Sequence, residues 1–474
     1  MNAATPSQAL ARVLVDELVR CGMTDACLSP GSRSAPVAMA LEENPGLRVH
    51  VVHDERSASF VALGIAKTNR RPAGLLSTSG TAAANFHPAV LEAHHAHVPL
   101  IVFTADRPPE LRHTAANQTI DQQKLFGEAV RWFVEVGPAE DRDGAAAHWR
   151  STASRAYAAA GGSPKGPVHI NVCFRDPLTP VETEPGWDQP LDGRPEGAPW
   201  CRVDDPARAP SERVVEDLAA RITVTVRGAL VVGDCDIDPA PALALAEAAG
   251  WPVLAEPASG ARSGENAVST FDSLLKSDAF AADHRPDVVM QIGKPGLSRA
   301  LSAWIGNLSI ERILIDETGA WLDPERSLSR IVTGDPALTC DALTKRLRSP
   351  PRRPSEWLKR WRDAEKKARA AVDGYLDALE HLSEARIARD VAALAPAGAA
   401  LVVASSMPAR DLNSFMVPRP GLRVLGNRGV SGIDGLVSTA LGVALAHPGP
   451  TWALTGDLSL LHDQNGLLLC RARK

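Results

Sequence analysis

The chain has 474 residues, enough for about three domains of ordinary size. Hydrophobic content is 45%, aromatics only 4%, so aliphatic side chains must dominate the cores. A net charge of −5 with interspersed signs gives no reason to expect nucleic-acid or anionic-membrane binding. Seven scattered cysteines without a CxxC pair indicate neither a disulfide framework nor a zinc site. The amphipathic start, with Asp16 and Glu17, is no signal peptide, and no apolar run approaches the ~20 residues a spanning helix needs. A soluble, cytoplasmic protein is expected.

In chain order, a helix over Ser7–Cys21 leads to a short strand, Asp25–Leu28, and the loop Ser29-Pro30-Gly31-Ser32-Arg33-Ser34. That loop has the turn chemistry to present backbone N–H groups ahead of a helix beginning near Pro36. Arg33 is either a surface charge at a helix start or an anion ligand. A second strand, Arg48–His53, is followed at once by Asp54-Glu55-Arg56 and a helix with apolar residues at Phe60, Leu63 and Ala66. Leu75-Leu76 marks a buried strand ending in Ser77-Thr78-Ser79-Gly80-Thr81, and Val98–Thr104 is near-continuously apolar, as parallel strands covered on both faces are. Ligands of open α/β sheets bind outside the carboxyl ends of the strands. Glu55, Ser79-Gly80-Thr81 and Ala105-Asp106-Arg107 are therefore expected on one rim. A carboxyl group at such a strand end can trade protons with a ligand, although a solvated, helix-capping turn is the plainer reading of Asp54-Glu55-Arg56 taken alone. Ala115–Asp121 is expected to open another helix, and Pro167–Val172 to form a closing strand.

The expected division is an α/β domain over 1–180, a proline-rich linker over 181–210, a central Rossmann-like α/β domain over 211–345, a charged helical connection over 346–395, and a third α/β domain over 396–474. The linker reading rests on prolines at 177, 180, 185, 190, 195, 199, 206 and 210. In the central domain, strands are expected at Gly228–Val232, Trp251–Ala255, Asp287–Ile292 and Arg312–Ile315. Gly233-Asp234-Cys235-Asp236-Ile237-Asp238 follows the first of these; it is not GxGxxG, and its acids would repel a pyrophosphate. The basic run Arg346, Arg348, Arg352, Arg353, Lys359, Arg360 and Arg362 is balanced by later acids and reads as a solvated helical face. The third domain offers strands at Leu401–Ala404, Arg423–Leu425 and Thr451–Thr455. Their loops are Ser405–Arg410, Gly426–Gly435 and Gly456–Ser459, the second with glycine at every third position. His94, His95 and His97 look like a metal cluster, but neighbouring helical residues point about 100° apart, so a helix-end trio near solvent is expected.

The stretches SPGSRS, HDERSASFVALGIAK, STSGTAAANFHPAVLEA, TADRPPE and ANQTIDQ, with NRGVSGIDG and GDLSLLHD, together resemble the SEPHCHC (2-succinyl-5-enolpyruvyl-6-hydroxy-3-cyclohexene-1-carboxylate) synthases of the menaquinone pathway. That resemblance implies three doubly wound parallel-sheet domains of the thiamine-diphosphate-enzyme type. It implies thiamine diphosphate and Mg2+ as cofactors, 2-oxoglutarate and isochorismate as substrates, and a homodimer or tetramer. Carried over by motif, Glu55 is the catalytic proton relay to the aminopyrimidine. Ser79, Gly80, Ile433, Gly456 and Asp457 complete the cofactor set, Ile433 as the apolar wedge and Asp457 as the metal ligand. Ser32, Arg33, Arg107, Gln118, Arg410 and Arg428 are the substrate-side positions; arginine forks suit polyanionic substrates better than pyruvate.

Only 474 − 457 = 17 residues follow Asp457. Against the family pattern this predicts an incomplete third domain with one identifiable metal ligand, Asn465 not being the missing one. Two alternatives to the synthase reading stand beside it: a non-catalytic ligand-binding derivative, and another thiamine-diphosphate decarboxylase or acetolactate-type synthase.

Overall fold

The computed structural model describes residues 5–180, 187, 189–235, 237–306, 310–347 and 355–469. Most of the short run 181–188 in the linker, Asp236, three members of the basic run (Arg348, Arg352 and Arg353) and the chain end from Cys470 lie outside the described residues. The chain divides into two units. The first comprises Met1–Asp205, Asn427–Pro448 and Asp457–Lys474; the second comprises Pro206–Gly426 and Gly449–Gly456.

In the first unit, strands β1 (Asp25–Leu28), β2 (Arg48–Val51), β3 (Ala73–Ser77), β4 (Leu100–Asp106), β5 (Trp132–Val136) and β6 (Pro167–Cys173) form one sheet, ordered β2-β1-β3-β4-β6-β5. Every pairing is parallel. The apolar run of β4 splits by strand period: Ile101, Phe103 and Ala105 enter the core under the helices Pro6–Cys21 and Ala145–Gly161. Leu100 and Val102 face the other core, with Phe60, Leu63 and Val90. Two faces of core explain why β4 shows no polar alternation. The closing strand expected at Pro167–Val172 is present but interior; the edge strand β5, mostly half-buried and carrying Glu135, was not read from the sequence.

The expected helix at Ala115–Asp121 is absent. Residues 112–131 run as turns, with His113, Ala115, Gln118 and Lys124 at φ between 52° and 59°. A left-handed residue every few positions ends any right-handed helix. The proline-rich stretch has neither α-helix nor strand among its described residues, as its composition predicts. It is anchored nonetheless: Arg150 donates to the Leu191 carbonyl at 2.7 Å, Arg20 to that of Arg194 at 2.9 Å, and Trp187 packs against Trp149.

The helix Leu436–Ala446 crosses the helix Glu55–Asn69 at backbone contact. A Cβ on Gly442 would lie 2.1 Å from the Val61 carbonyl oxygen, and one on Gly64 would lie 2.2 Å from that of Thr439. The small residues of LVSTALGVALA thus permit a crossing that larger side chains would block.

In the second unit, β7 (Gly228–Val232), β8 (Val253–Ala255), β9 (Val288–Ile292), β10 (Glu311–Asp316) and β11 (Arg330–Thr333) make a parallel sheet, ordered β11-β10-β9-β7-β8. Four of these strands match the sequence reading; β11 is additional. A second sheet holds β12 (Ala399–Val403), β13 (Leu422–Leu425) and β14 (Thr451–Leu454), ordered β13-β12-β14 and parallel throughout. The charged connection is two helices, Glu356–Asp377 and Glu384–Leu394.

Candidate active site

Strand order in the first sheet reverses between β1 and β3, and the crevice at such a switch point is where open α/β sheets take ligands. The loop after β1 is pressed onto the loop after β3: a Cβ on Gly31 would lie 2.3 Å from the Thr78 Cβ. Only glycine permits that approach. Arg33 is nearly buried there, its Nη1 donating to the Phe174 carbonyl at 3.0 Å and to Asp176 at 3.4 Å. Its Nε, the Ser29 Oγ and the Ser77 Oγ are buried without hydrogen-bond partners among the described residues. Buried polar groups are ordinarily satisfied, so unpaired ones at a crevice mark a place for a polar ligand.

Three of the residues expected on the substrate or cofactor side bond to one another. Arg107 donates from Nη1 to the Ser79 Oγ at 2.8 Å and from Nη2 to the Asn117 carbonyl at 3.0 Å. The Ser79 Oγ donates to the Gln118 carbonyl at 3.1 Å, and the Gln118 Nε2 returns a bond to the Ser79 carbonyl at 3.0 Å. Burial, and next the charge of Arg33, lower the pKa of Arg107. Two cations thus share one crevice, which favours an anionic occupant. Ser32 is exposed in the same loop as Arg33.

Support for this rim comes from residues the sequence reading did not single out. The buried Gln122 accepts from the Gly80 N–H at 2.9 Å and donates to the Ala105 carbonyl at 3.2 Å and the Asn171 Oδ1 at 3.0 Å. The Asn171 Nδ2 donates to Asp106 at 2.9 Å, and Asp106 accepts the Arg107 backbone N–H at 2.7 Å. Asn171, polar among the valines and isoleucine of β6, was the available signal. Burial raises the pKa of Asp106 despite these bonds.

Glu55 opens the helix after β2, half-buried, and its carboxyl has no hydrogen-bond partner among the described residues. Its neighbours are held on both sides. Asp54 caps the helix, accepting the Ser57 N–H at 2.8 Å, and takes the Asn465 Nδ2 at 3.0 Å. Arg56 donates to the His462 carbonyl at 2.7 Å. Asn465 is therefore engaged with the N-cap of the helix that Glu55 opens.

The glycine-rich loop 426–435 carries Arg428 and Ile433, both half-buried. The buried Glu92 fixes it, accepting from Gly429 N–H at 2.9 Å and Val430 N–H at 2.8 Å and pairing with Lys67 at 3.3 Å. A Cβ on Gly429 would stand 2.6 Å from the Glu92 carbonyl oxygen, and one on Gly435, at φ +67°, would stand 2.0 Å from the Phe60 ring. The close-approach role read from the glycine spacing is thus realised at two of its positions. Glu92 went unnoticed, though a carboxylate between the buried Val90 and Ala93 on a helix was a usable signal. The Ile433 carbonyl accepts from the Ser459 Oγ at 2.8 Å, and Arg428 has no hydrogen-bond partner among the described residues.

Asp457 is exposed at the start of the short helix Asp457–His462, and among the described residues its carboxylate accepts the Leu458 N–H alone, at 2.8 Å. It is open to a cation. Among the described residues, the one group of three side chains spaced to share a metal is Asp106, Glu135 and Cys173. Arg112 already supplies a cation there, at 2.7 Å from Glu135, 2.9 Å from the Cys173 Sγ and 3.4 Å from Asp106. Burial pushes the Cys173 thiol up to about 12, so it is no ready thiolate. In the histidine trio, Arg131 donates to the Nδ1 atoms of His94 and His97, each at 3.1 Å.

The remaining expected residues, Arg410 and Gly456, belong to the second unit. Arg410 is exposed in the first turn of the helix Met407–Phe415. Before it stands Ser406 at φ +73°, ψ −136°, a conformation that strains any residue but glycine and recurs at functional sites. Nothing in the residue pattern announced Ser406.

A parallel sheet with an arginine-lined switch point and an unpaired carboxyl at a neighbouring strand end fits a thiamine-diphosphate enzyme. The chain indeed matches the thiamine pyrophosphate enzyme N-terminal TPP-binding domain over residues 8–125 and the middle domain of thiamine pyrophosphate enzymes over 192–403. It is 51% identical to the SEPHCHC synthase of Thermobifida fusca, across 98% of this chain and 81% of that protein. With that of Saccharopolyspora erythraea it shares 45% identity across 98% and 80%, and with that of Myxococcus xanthus 43% across 96% and 78%. The chain belongs to the SEPHCHC synthase family, thiamine-diphosphate-dependent enzymes of menaquinone biosynthesis. No described helix is long and apolar enough to cross a membrane.

Proposed function

We propose that the chain decarboxylates 2-oxoglutarate and joins the remaining four-carbon unit to isochorismate, releasing CO2 and SEPHCHC, with thiamine diphosphate and Mg2+ bound. The reading carries a cytoplasmic location and a homodimer or tetramer with it, as family membership implies. When bound, thiamine diphosphate supplies the reactive carbon and the electron sink for decarboxylation. The residues present fit it: Glu55 is unpaired and half-buried where a proton relay to the aminopyrimidine is needed, and Asp457 offers a free carboxylate to a hard cation. Glu55 holds and returns that proton. Ser79 and Gly80 line the pyrimidine side, with Ile433 as an apolar support and Gly456-Asp457 toward the diphosphate. Ser32, Arg33, Arg107, Gln118, Arg410 and Arg428 bind and orient the carboxylates of the two acids.

The observation that carries this reading is the bonded set Ser79–Arg107–Gln118 with Arg33 beside it at the switch point. An aqueous carboxylate gains most from preorganised guanidinium forks. Incubation with both acids, thiamine diphosphate and Mg2+ should give CO2 release that depends on isochorismate, and product of the SEPHCHC mass. CO2 release from pyruvate at an equal or higher rate would refute the substrate assignment. Tight binding of either acid without CO2 release would favour the non-catalytic alternative.

A further inference from the structure

The second unit contains a buried cation without a counter-ion in contact. Arg262 is 2% exposed, and no carboxylate among the described residues pairs with it. Its guanidinium is satisfied by oxygens of a single helix end and one strand end. Nε donates to the Ala255 carbonyl at 3.0 Å, at the last residue of β8. Nη1 donates to the carbonyls of Asn413 at 2.8 Å, Met416 at 3.2 Å and Leu412 at 3.4 Å. Nη2 reaches the Asn413 Oδ1 at 3.0 Å. These carbonyls close the helix Met407–Phe415, whose last turn is otherwise met by the Met416 N–H on the Leu412 carbonyl and by Arg369 on the Phe415 carbonyl, each at 3.0 Å. Burial, with the nearby charge of Arg369 second, pulls the Arg262 pKa down to about 10, so it remains charged at neutral pH. Cations at a helix C-terminus are favoured by the helix dipole.

The other end of that helix holds strained Ser406 and exposed Arg410. Nine residues make a rod of about 13 Å, too short to bend between its ends. We infer that Arg262 is a positioning residue: by clamping the C-terminal carbonyls of the helix Met407–Phe415 to the end of β8, it fixes the orientation in which Ser406 and Arg410 meet a substrate carboxylate. Apolar packing would seat the helix without fixing its rotation or slide. Three guanidinium nitrogens directed at four backbone carbonyls and one side-chain amide oxygen fix both. The inference rests on the substrate role proposed for Arg410.

The test is a double-mutant cycle on the full chain with both cofactors present, read as KM and kcat for each acid. R410A should raise KM for at least one of the two acids. R262K keeps the charge but loses the fork, and should raise that same KM about tenfold with kcat changed less than twofold. In the R410A background, R262K should change KM less than twofold. If R262K does not fold, N413L, which removes one acceptor of the clamp, should move the same KM by a smaller factor. The inference is overturned if R262K lowers kcat and thermal stability while KM stays, or if it acts equally with and without Arg410. Wild-type KM values for R410A would refute the substrate role itself, and the inference with it. R262K raising KM there would show that the clamp serves some other residue.

Discussion

The first sheet and the middle sheet wind the same way at their centres. The order β2-β1-β3-β4 in one repeats as β8-β7-β9-β10 in the other, so each has a crevice where the order reverses. What the loops do there differs. In the first sheet the loops after β1 and β3 meet at Gly31 and Thr78, yet two arginines and three buried polar atoms without partners among the described residues stand at the crevice. In the middle sheet the loops after β7 and β9 bond to each other: Asp234 and Lys294 exchange N–H···O bonds of 3.1 Å each way. A Cβ on Gly233 would lie 2.2 Å from the Lys294 carbonyl carbon. The fold offers the crevice twice, and only the loop chemistry makes one of them a site.

The largest effect expected from breaking the first crevice is at Glu55. E55Q in the chain with cofactors bound should lower kcat by about 10²–10⁴-fold, the usual worth of a positioned acid–base group, and leave the circular-dichroism spectrum and melting temperature in place. Turnover near that of the wild type would sink the role given to Glu55. The arginines come next. R33A, R107A, R410A and R428A should each cost roughly 1.5–3 kcal/mol in kcat/KM for one or both acids. Wild-type constants in all four would end the anion-pocket reading.

The two units should also part under acid. His169 is fully buried on β6, and burial lowers its pKa to about 3. A base whose folded pKa is depressed contributes full stability above its unfolded pKa near 6.5, and loses it as pH falls from there toward 3. Urea titrations should therefore show the first unit losing about 2 kcal/mol between pH 7 and 5 from this residue, and H169Q should flatten the dependence. The middle sheet's large buried charge is Arg312, held by Gln291, Asp323, Glu325 and Ser327. A pH profile unchanged by H169Q would contradict the assignment. The smallest effect should come from the closed crevice. G233A forces backbone apart and should cost about 1–3 kcal/mol of stability in the second unit, while thiamine-diphosphate affinity stays within twofold. A large loss of cofactor affinity would mean that the middle crevice takes part in binding after all.

Much of the first rim was legible without coordinates, because strand ends, turn residues and arginines declare themselves locally. Glu55, Ser79-Gly80 and Arg107 were expected on one edge of a parallel sheet, and the strand register places them there. The glycines of 426–435 signalled close approach, since a missing side chain is itself a local fact. The turns at 112–131 were misread as helix because their left-handed residues are not glycines, and the long-range bonds of Gln118 and Gln122 select that backbone. Glu92, Asn171 and Arg262 escaped for a related reason. Each is a polar residue whose partners lie tens to hundreds of positions away, at Gly429, Asp106 and Asn413. The sequence by itself determined the layered α/β class and the family, because periodicity, turn chemistry and short motifs act over a few residues. Tertiary structure alone decided which of two like crevices stays open and which buried donors hold its edges, because unpaired polar groups are satisfied by whatever the fold brings near.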